Sequence, residues 1–198
     1  RTDSPAGGEG TFEETASIET PAVAEPQPDG LEALVPERAM PTRAEPAWRM
    51  LLAAGRLSDG LRAADQAGFR HVCQTATARE LLALADAARL FGSPSRAGAV
   101  LRLLRQRFPG TKDAATAAFR LGLMAFESDH AYGEAAKWFE IYLRDQPSGP
   151  LMGDSFGRLI TARSRAGDRD GARAVAQEYL LRFPQGPYAG DARGVLSR

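Results

Sequence analysis

The chain has 198 residues, and its 25 basic and 25 acidic residues give a formal net charge of zero. A single cysteine excludes a fold held together by intramolecular disulfides. No run of 18 apolar residues occurs, so we expect no membrane insertion within this segment.

Residues 1–45 differ in composition from the rest of the chain. They contain ten acidic residues, three arginines and six prolines, and Phe12 is their only aromatic residue. Such a segment buries too little apolar surface to offset the entropy lost on ordering, so we predict a flexible, disordered, acidic and proline-rich linker. Residues 46–198 carry 22 basic and 15 acidic residues. A tail of this sign could fold back on a basic domain, or it could be an inert linker.

A short helical pair is predicted at the start of the remaining chain, within residues 46–77. Gly55 separates two runs of helical apolar pattern, as a turn glycine does. Residues 69–77 then break this pattern, and Thr75 or Thr77 is placed to cap the next helix. We expect Cys73 to be a buried thiol at this joint. The segment is interpreted as a degenerate N-terminal cap repeat and joint.

Three longer segments follow with a period of 37 or 38 residues. Each ends at a proline, which terminates a helix because its ring removes an N–H donor. A small alanine stands twelve residues before each proline and a large side chain five residues before it; the residues are Ala97, Leu104 and Pro109, then Ala135, Tyr142 and Pro147, then Ala172, Tyr179 and Pro184. Self-similarity of this length indicates stacked helical hairpins. We predict repeats over 78–111, 115–149 and 153–186, and a C-terminal cap helix over 187–198.

The pattern inside each segment resembles the tetratricopeptide repeat (TPR), in which small and apolar residues recur at fixed positions of two paired helices. The matching residues of the first copy are Leu81, Leu84, Ala85, Ala88, Ala97, Leu101, Leu104 and Pro109. In the last copy Arg163 is the one poor match, and the middle copy needs one extra residue near Asp129 and His130. The resemblance implies an all-α, right-handed solenoid of helical hairpins, which offers an extended surface to another macromolecule.

The first helices of TPR hairpins line a concave groove that binds protein segments. The resemblance implies that the groove of this chain is lined by Arg79, Asp86, Arg89, Thr116, Phe119, Leu123, Phe126, Asp154, Thr161 and Arg165. This set gives an apolar middle and charged ends, which suit a peptide ligand. The alternative is that Phe119, Leu123 and Phe126 are core residues, because their helix is apolar on several faces.

Patterns typical of catalysis and metal binding are not found. His71 and Cys73 lie two residues apart, but a zinc site needs further ligands that the neighbouring sequence does not supply. Asp129 and His130 are expected in a surface turn. No nucleophile elbow, phosphate-binding loop or dinucleotide fingerprint occurs. The sequence therefore predicts a protein that is not an enzyme and needs no cofactor or metal.

The basic excess of residues 46–198 raises the question of nucleic acid binding. It consists almost entirely of arginine spread along the predicted helices, with Arg102, Arg105 and Arg107 as the strongest local group. The sequence lacks a recognised nucleic-acid motif with an aromatic stacking surface, so the pattern does not favour a nucleic acid partner.

Two junction sequences, RFPGTKDAATAAFRLG and RFPQGPYAGDARGVL, resemble repeat domains of bacterial envelope proteins such as the Tol-Pal coordinator and barrel-assembly lipoproteins. The block GFRHVCQTATARELLALADAARLFG, with the acidic linker before it, is similar to the C-terminal regions of FecR-type envelope signalling proteins. These resemblances imply a periplasmic or envelope scaffold that binds a protein or peptide; self-association of a parent signalling protein and a cytoplasmic regulatory role are the alternatives. Since the sequence begins at Arg1 with no signal peptide, we expect it to be a portion of a longer protein.

Overall fold

The structure is a computed structural model that describes residues 45–127 and 130–198, and it is all-helical in these ranges, with no strand. The linker predicted over residues 1–45 lies outside the described residues except for Glu45, and so does Asp129 of the predicted surface turn. The described helices are α1 (Ala47–Ala53), α2 (Leu57–Gln66), α3 (Phe69–Thr75), α4 (Ala78–Phe91), α5 (Pro94–Arg107), α6 (Lys112–Glu127), α7 (Tyr132–Asp145), α8 (Met152–Arg165), α9 (Arg169–Arg182) and α10 (Ala189–Leu196).

The helices are arranged as successive hairpins. The pairs α1–α2, α4–α5, α6–α7 and α8–α9 each pack against one another. Each first helix also packs against the second helix of the preceding hairpin, as α4 does on α2, α6 on α5, α8 on α7 and α10 on α9. Contacts between α1 and α4, α4 and α6, and α8 and α10 place the first helices side by side. This stacking is that of a helical-hairpin solenoid.

Helix α3 corrects the prediction that residues 69–77 break the helical pattern. Gly68 has a φ of 84°, a left-handed conformation that favours glycine, and it separates α2 from α3. Val72 and Cys73 of α3 are buried, and Arg107 of α5 donates a hydrogen bond to the Cys73 carbonyl at 2.5 Å. The prediction is wrong because a helix of seven residues has too few turns to show a helical period. Tertiary contacts, rather than propensity, stabilise it.

The start of α4 is fixed by a capping box. The Thr77 hydroxyl accepts a hydrogen bond from the Glu80 backbone N–H at 3.3 Å, and the Glu80 carboxylate accepts one from the Thr77 N–H at 2.7 Å. Of the two threonines proposed as caps, Thr77 has this role, whereas the Thr75 hydroxyl donates to the His71 carbonyl within α3. Reciprocal capping satisfies two backbone donors that a helix N-terminus otherwise leaves unbonded.

The core repeats with the sequence period. The alanines Ala97, Ala135 and Ala172 are at most 1% exposed, which allows paired helices to cross closely. The large residues that follow them, Leu104, Tyr142 and Tyr179, are equally buried and fill the space between neighbouring hairpins.

Two buried tyrosines, in α7 and α9, also tie their own hairpins to the helix that follows. The Tyr142 hydroxyl accepts a hydrogen bond from the Leu151 N–H at 3.0 Å, and the Tyr179 hydroxyl accepts one from the Tyr188 N–H at the same distance. Gly149 leaves room for the first of these bonds, since a Cβ there would lie 2.5 Å from the Tyr142 hydroxyl oxygen. The tyrosines therefore fix the chain where it enters the following first helix.

Ser155 of α8 is a buried polar residue without a partner. It is 0% exposed, and its hydroxyl forms no hydrogen bond within the described residues. The corresponding residues of α6 and α10 are Ala117 and Ala192, both also 0% exposed. An alanine side chain, which has no polar atom, therefore fits the buried position that Ser155 occupies in α8.

We expect Ser155→Ala to raise the free energy of unfolding by about 1 kcal/mol, because it removes the desolvation cost of an unbonded hydroxyl. Urea unfolding followed by circular dichroism measures the change. Ser164→Ala in the same helix is the control, since Ser164 is exposed, its hydroxyl donates to the Ile160 carbonyl at 2.8 Å, and its removal should bring no comparable gain. A loss of stability in Ser155→Ala would contradict this interpretation.

Candidate functional site

The first helices α1, α4, α6 and α8, with the start of α10, form a surface that we call the inner face. On it, side chains of one first helix bind those of the next. Four carboxylates are held in this way: Glu80 by Arg49 at 3.0 Å, Asp86 by Arg120 at 2.7 Å, Glu127 by Arg158 at 2.8 Å and Asp154 by the Tyr188 hydroxyl at 3.2 Å. Such partly exposed pairs contribute at most about 1 kcal/mol each. Their main effect is to set the register of neighbouring helices, and the three arginine pairs also neutralise their carboxylates.

Two of these pairs involve predicted groove residues, Asp86 and Asp154. Both were predicted from their repeat positions, but their partners were not. Arg120 also donates a hydrogen bond to the Leu82 carbonyl at 3.2 Å, so this one guanidinium joins two turns of α4 to α6. An arginine separated by about one repeat from an aspartate is the sequence signal that could have indicated such a contact.

Phe119 does not line the inner face, which corrects its predicted role. It is 8% exposed, and its ring packs edge-to-face on Phe139 at 5.6 Å and on Tyr142 at 5.8 Å between ring centroids. The physical reason is that α6 contributes to the core on more than one side. Phe119 therefore belongs to the hydrophobic core between hairpins.

The predicted threonines direct their hydroxyl groups into their own helices. Thr116 donates to the Lys112 carbonyl at 3.0 Å, and Thr161 donates to the Gly157 carbonyl at 3.1 Å. Both residues are half-buried. Their hydroxyl protons are thus already used in local hydrogen bonds.

The other predicted residues remain at the surface. Leu123 and Phe126 are half-buried, and they are the apolar part of the predicted set that is still accessible. Arg79, Arg89 and Arg165 are exposed. The structure therefore retains the predicted combination of apolar and basic side chains on α4, α6 and α8, but with a smaller apolar part.

Helices α6, α7 and α8 meet at a cluster that we call the arginine shelf, formed by Phe126, Tyr132 and Arg165. The guanidinium carbon of Arg165 lies 5.2 Å from the Phe126 ring centroid and 5.3 Å from that of Tyr132. The two rings pack edge-to-face at 5.2 Å, and the Arg165 Nη1 donates to the Tyr132 hydroxyl at 3.3 Å. Cation–π contacts of this kind stabilise an exposed arginine by about 0.5–1 kcal/mol each. Tyr132 was not predicted as a site residue.

One thiol and one phenol have shifted pKa values. Burial raises the pKa of the Cys73 thiol, although Arg96 and Arg107 oppose the shift, so the thiol stays protonated and weakly nucleophilic at neutral pH. Burial and the neighbouring Asp154 carboxylate raise the pKa of Tyr188, which keeps its hydroxyl a donor to that carboxylate. Neither group therefore provides a reactive nucleophile at neutral pH.

Metal-ligating side chains do not cluster in residues 45–127 and 130–198, where no three or more His, Cys, Asp or Glu residues are grouped to hold an ion. Among the helices that the structure describes, none is both long enough and apolar enough to cross a membrane.

Comparisons with known proteins bear on the fold. No protein-family model matches the chain, and no curated protein is significantly similar to it in sequence. Among solved structures, it is similar to the TPR-like repeats of a putative kinesin light chain from Podosopora anserina, with a TM-score of 0.54, 14% identity, and coverage of 76% of this chain and 81% of that one. A single-substitution variant of the same repeats gives the same TM-score and identity, and the match covers 76% of this chain and 80% of that variant. The prediction of an all-α solenoid is confirmed: the described residues have a TPR-like repeat fold.

Proposed function

We propose that this chain is a non-catalytic scaffold of the bacterial cell envelope that binds a peptide or protein segment on its inner face. A TPR-like fold suggests an interaction scaffold, and the proposal extends this to a particular surface and compartment. The observation that carries it is the inner face itself, on which exposed arginines and half-buried apolar residues of α4, α6 and α8 lie next to one another.

This mixture of side chains is what a protein-binding surface requires. Aromatic residues and arginine are enriched among the residues that dominate binding energy, because they combine apolar area with directed hydrogen bonding. The cross-helix pairs such as Asp86 with Arg120 hold the backbone on which these residues stand. A surface fixed before binding loses less conformational entropy when a partner arrives.

The envelope location rests on the resemblance of the two junction sequences to envelope repeat domains. The buried, protonated Cys73 is compatible with an oxidising compartment, because burial protects the thiol. Detection of the tagged protein in the periplasmic fraction would support this part of the proposal, and its recovery only from the cytoplasm would favour the regulatory alternative.

The binding part is tested by affinity capture from a bacterial envelope extract with the full chain as bait. We expect Arg89→Glu combined with Arg165→Glu to reduce recovery of bound proteins by at least about tenfold, since each reversal inverts the charge that the inner face presents to a ligand. The matched control is Arg62→Glu combined with Arg144→Glu, on second helices, whose side chains are 68% and 71% exposed. Circular dichroism verifies that all variants are folded.

The outcomes separate the candidate functions. Partners captured by the wild type and by the control, but lost in the inner-face variant, would support the proposal. Equal capture by all three proteins would remove the inner face as the binding site. Recovery of only the chain's own parent protein would favour self-association.

A further inference from the structure

We propose that the segment bound on the inner face is acidic, and that Arg165 of the arginine shelf binds one of its carboxylates. The inference rests on the proposed function for the location of the ligand. It adds the chemical class of the partner and the residue that recognises it.

The first argument is the charge balance of the inner face. Its carboxylates Glu80, Asp86 and Glu127 are each paired with an arginine of a neighbouring helix, whereas the partner of Asp154 is the uncharged Tyr188 hydroxyl. In contrast, Arg79 and Arg165 form no ion pair with any residue that the structure describes. These two arginines outnumber the one carboxylate of these four without a cationic partner, Asp154, so the face keeps an excess of positive charge. A surface of this kind attracts acidic partners and repels basic ones.

The second argument is the geometry of Arg165. Its guanidinium is held against the rings of Phe126 and Tyr132, and one N–H is bonded to the Tyr132 hydroxyl. A guanidinium has five N–H donors in a planar fork that matches the two oxygens of a carboxylate. The shelf thus restricts the orientation of the side chain and leaves other donors for a ligand. Such pre-organisation strengthens binding because less side-chain entropy is lost.

The third argument concerns the surroundings of the shelf. Phe126 is half-buried, and its ring supports the guanidinium from the protein side. At the corresponding end of α4, Leu90 and Phe91 are 52% and 58% exposed, next to the exposed Arg89. The C-terminal ends of α4, α6 and α8 therefore present apolar area beside basic groups. This arrangement fits a ligand whose acidic residues alternate with aromatic or aliphatic residues.

The test is a selection of random twelve-residue displayed peptides on the immobilised full chain at low salt. We expect the enriched peptides to contain more Asp and Glu than the starting library, and their affinity to fall as salt screens the charges. For the best synthetic peptide, Arg165→Gln should weaken binding by about tenfold or more, as loss of hydrogen bonds to a charged group does. Arg165→Lys should weaken it less. Arg144→Gln, on the exposed surface of α7, is the matched control and should change affinity less than about twofold.

Each outcome has a defined meaning. Enriched peptides without an acidic excess would overturn this inference and leave the proposed function intact, whereas failure to enrich any peptide would contradict both. Acidic peptides whose affinity is unchanged in Arg165→Gln would overturn the role of the shelf. Substitution of Gln for Glu in the selected peptide should reproduce the effect of the Arg165 variant, and no further loss is expected when both changes are combined.

Discussion

Replacement of Phe139 by alanine is expected to lower the free energy of unfolding by about 3–5 kcal/mol. Phe139 is 0% exposed, and its ring packs edge-to-face against Phe119 at 5.6 Å. It also lies against the backbone of Gly122 on α6. Because these neighbours belong to helices fixed on both sides by other hairpins, they are not free to collapse into the cavity. Urea unfolding followed by circular dichroism measures the loss.

The matched control for this prediction is Leu181→Ala. Leu181 also lies in a second helix, α9, but it is 84% exposed, so its truncation should change the stability by no more than about 0.5 kcal/mol. A loss below about 1 kcal/mol in Phe139→Ala would show that the contact between α6 and α7 is not part of a close-packed core.

Substitution of Gly122 by valine is expected to destabilise the chain by about 3 kcal/mol, from the opposite physical cause, overpacking. A Cβ at Gly122 would lie 2.7–3.0 Å from three atoms of the Phe139 ring, which is closer than side chains approach in folded proteins. The ring cannot move aside, because it is enclosed by α6 and α7 and is 0% exposed. Thermal and urea unfolding of the variant measure the effect.

Gly194→Val in α10 is the control for the glycine position, since no atom lies within 4 Å of a Cβ placed there. It should cost less than about 1 kcal/mol, and a comparable loss in both variants would point to backbone effects instead of a clash. Combining Gly122→Val with Phe139→Ala provides a second check. If the two residues compete for one space, the double variant loses less stability than the sum of the two single variants.

The helical hairpins could be predicted because their signals are local. A proline ends a helix through its own ring, and alanines with large residues at fixed separations mark the helix faces that cross. The structure confirms the resulting all-α solenoid. Helix α3 was missed because it lacks such local signals: its seven residues span too few turns to show a helical period. It is stabilised by contacts with other helices, such as the hydrogen bond from Arg107 to the Cys73 carbonyl.

The candidate site was less predictable than the fold. Repeat positions identified Asp86, Phe126 and Arg165 as residues of the first helices, but could not separate Phe119, which is in the core, from Phe126, which is on the arginine shelf. On a helix that is apolar on several faces, the pattern does not state which face meets which neighbour. The cross-helix partners depend on the register between hairpins, which is set by residues about one repeat apart.

The sequence by itself thus determined the repeat period, the helix ends marked by proline and glycine, and the class of fold, because these depend on interactions within one hairpin. Only the tertiary structure decided the burial of Phe119, the pairing of Asp86 with Arg120, and the contact of Arg165 with Tyr132. The physical reason is that these contacts form between hairpins, where packing geometry fixes which side chains meet, and no local preference of the chain specifies that geometry.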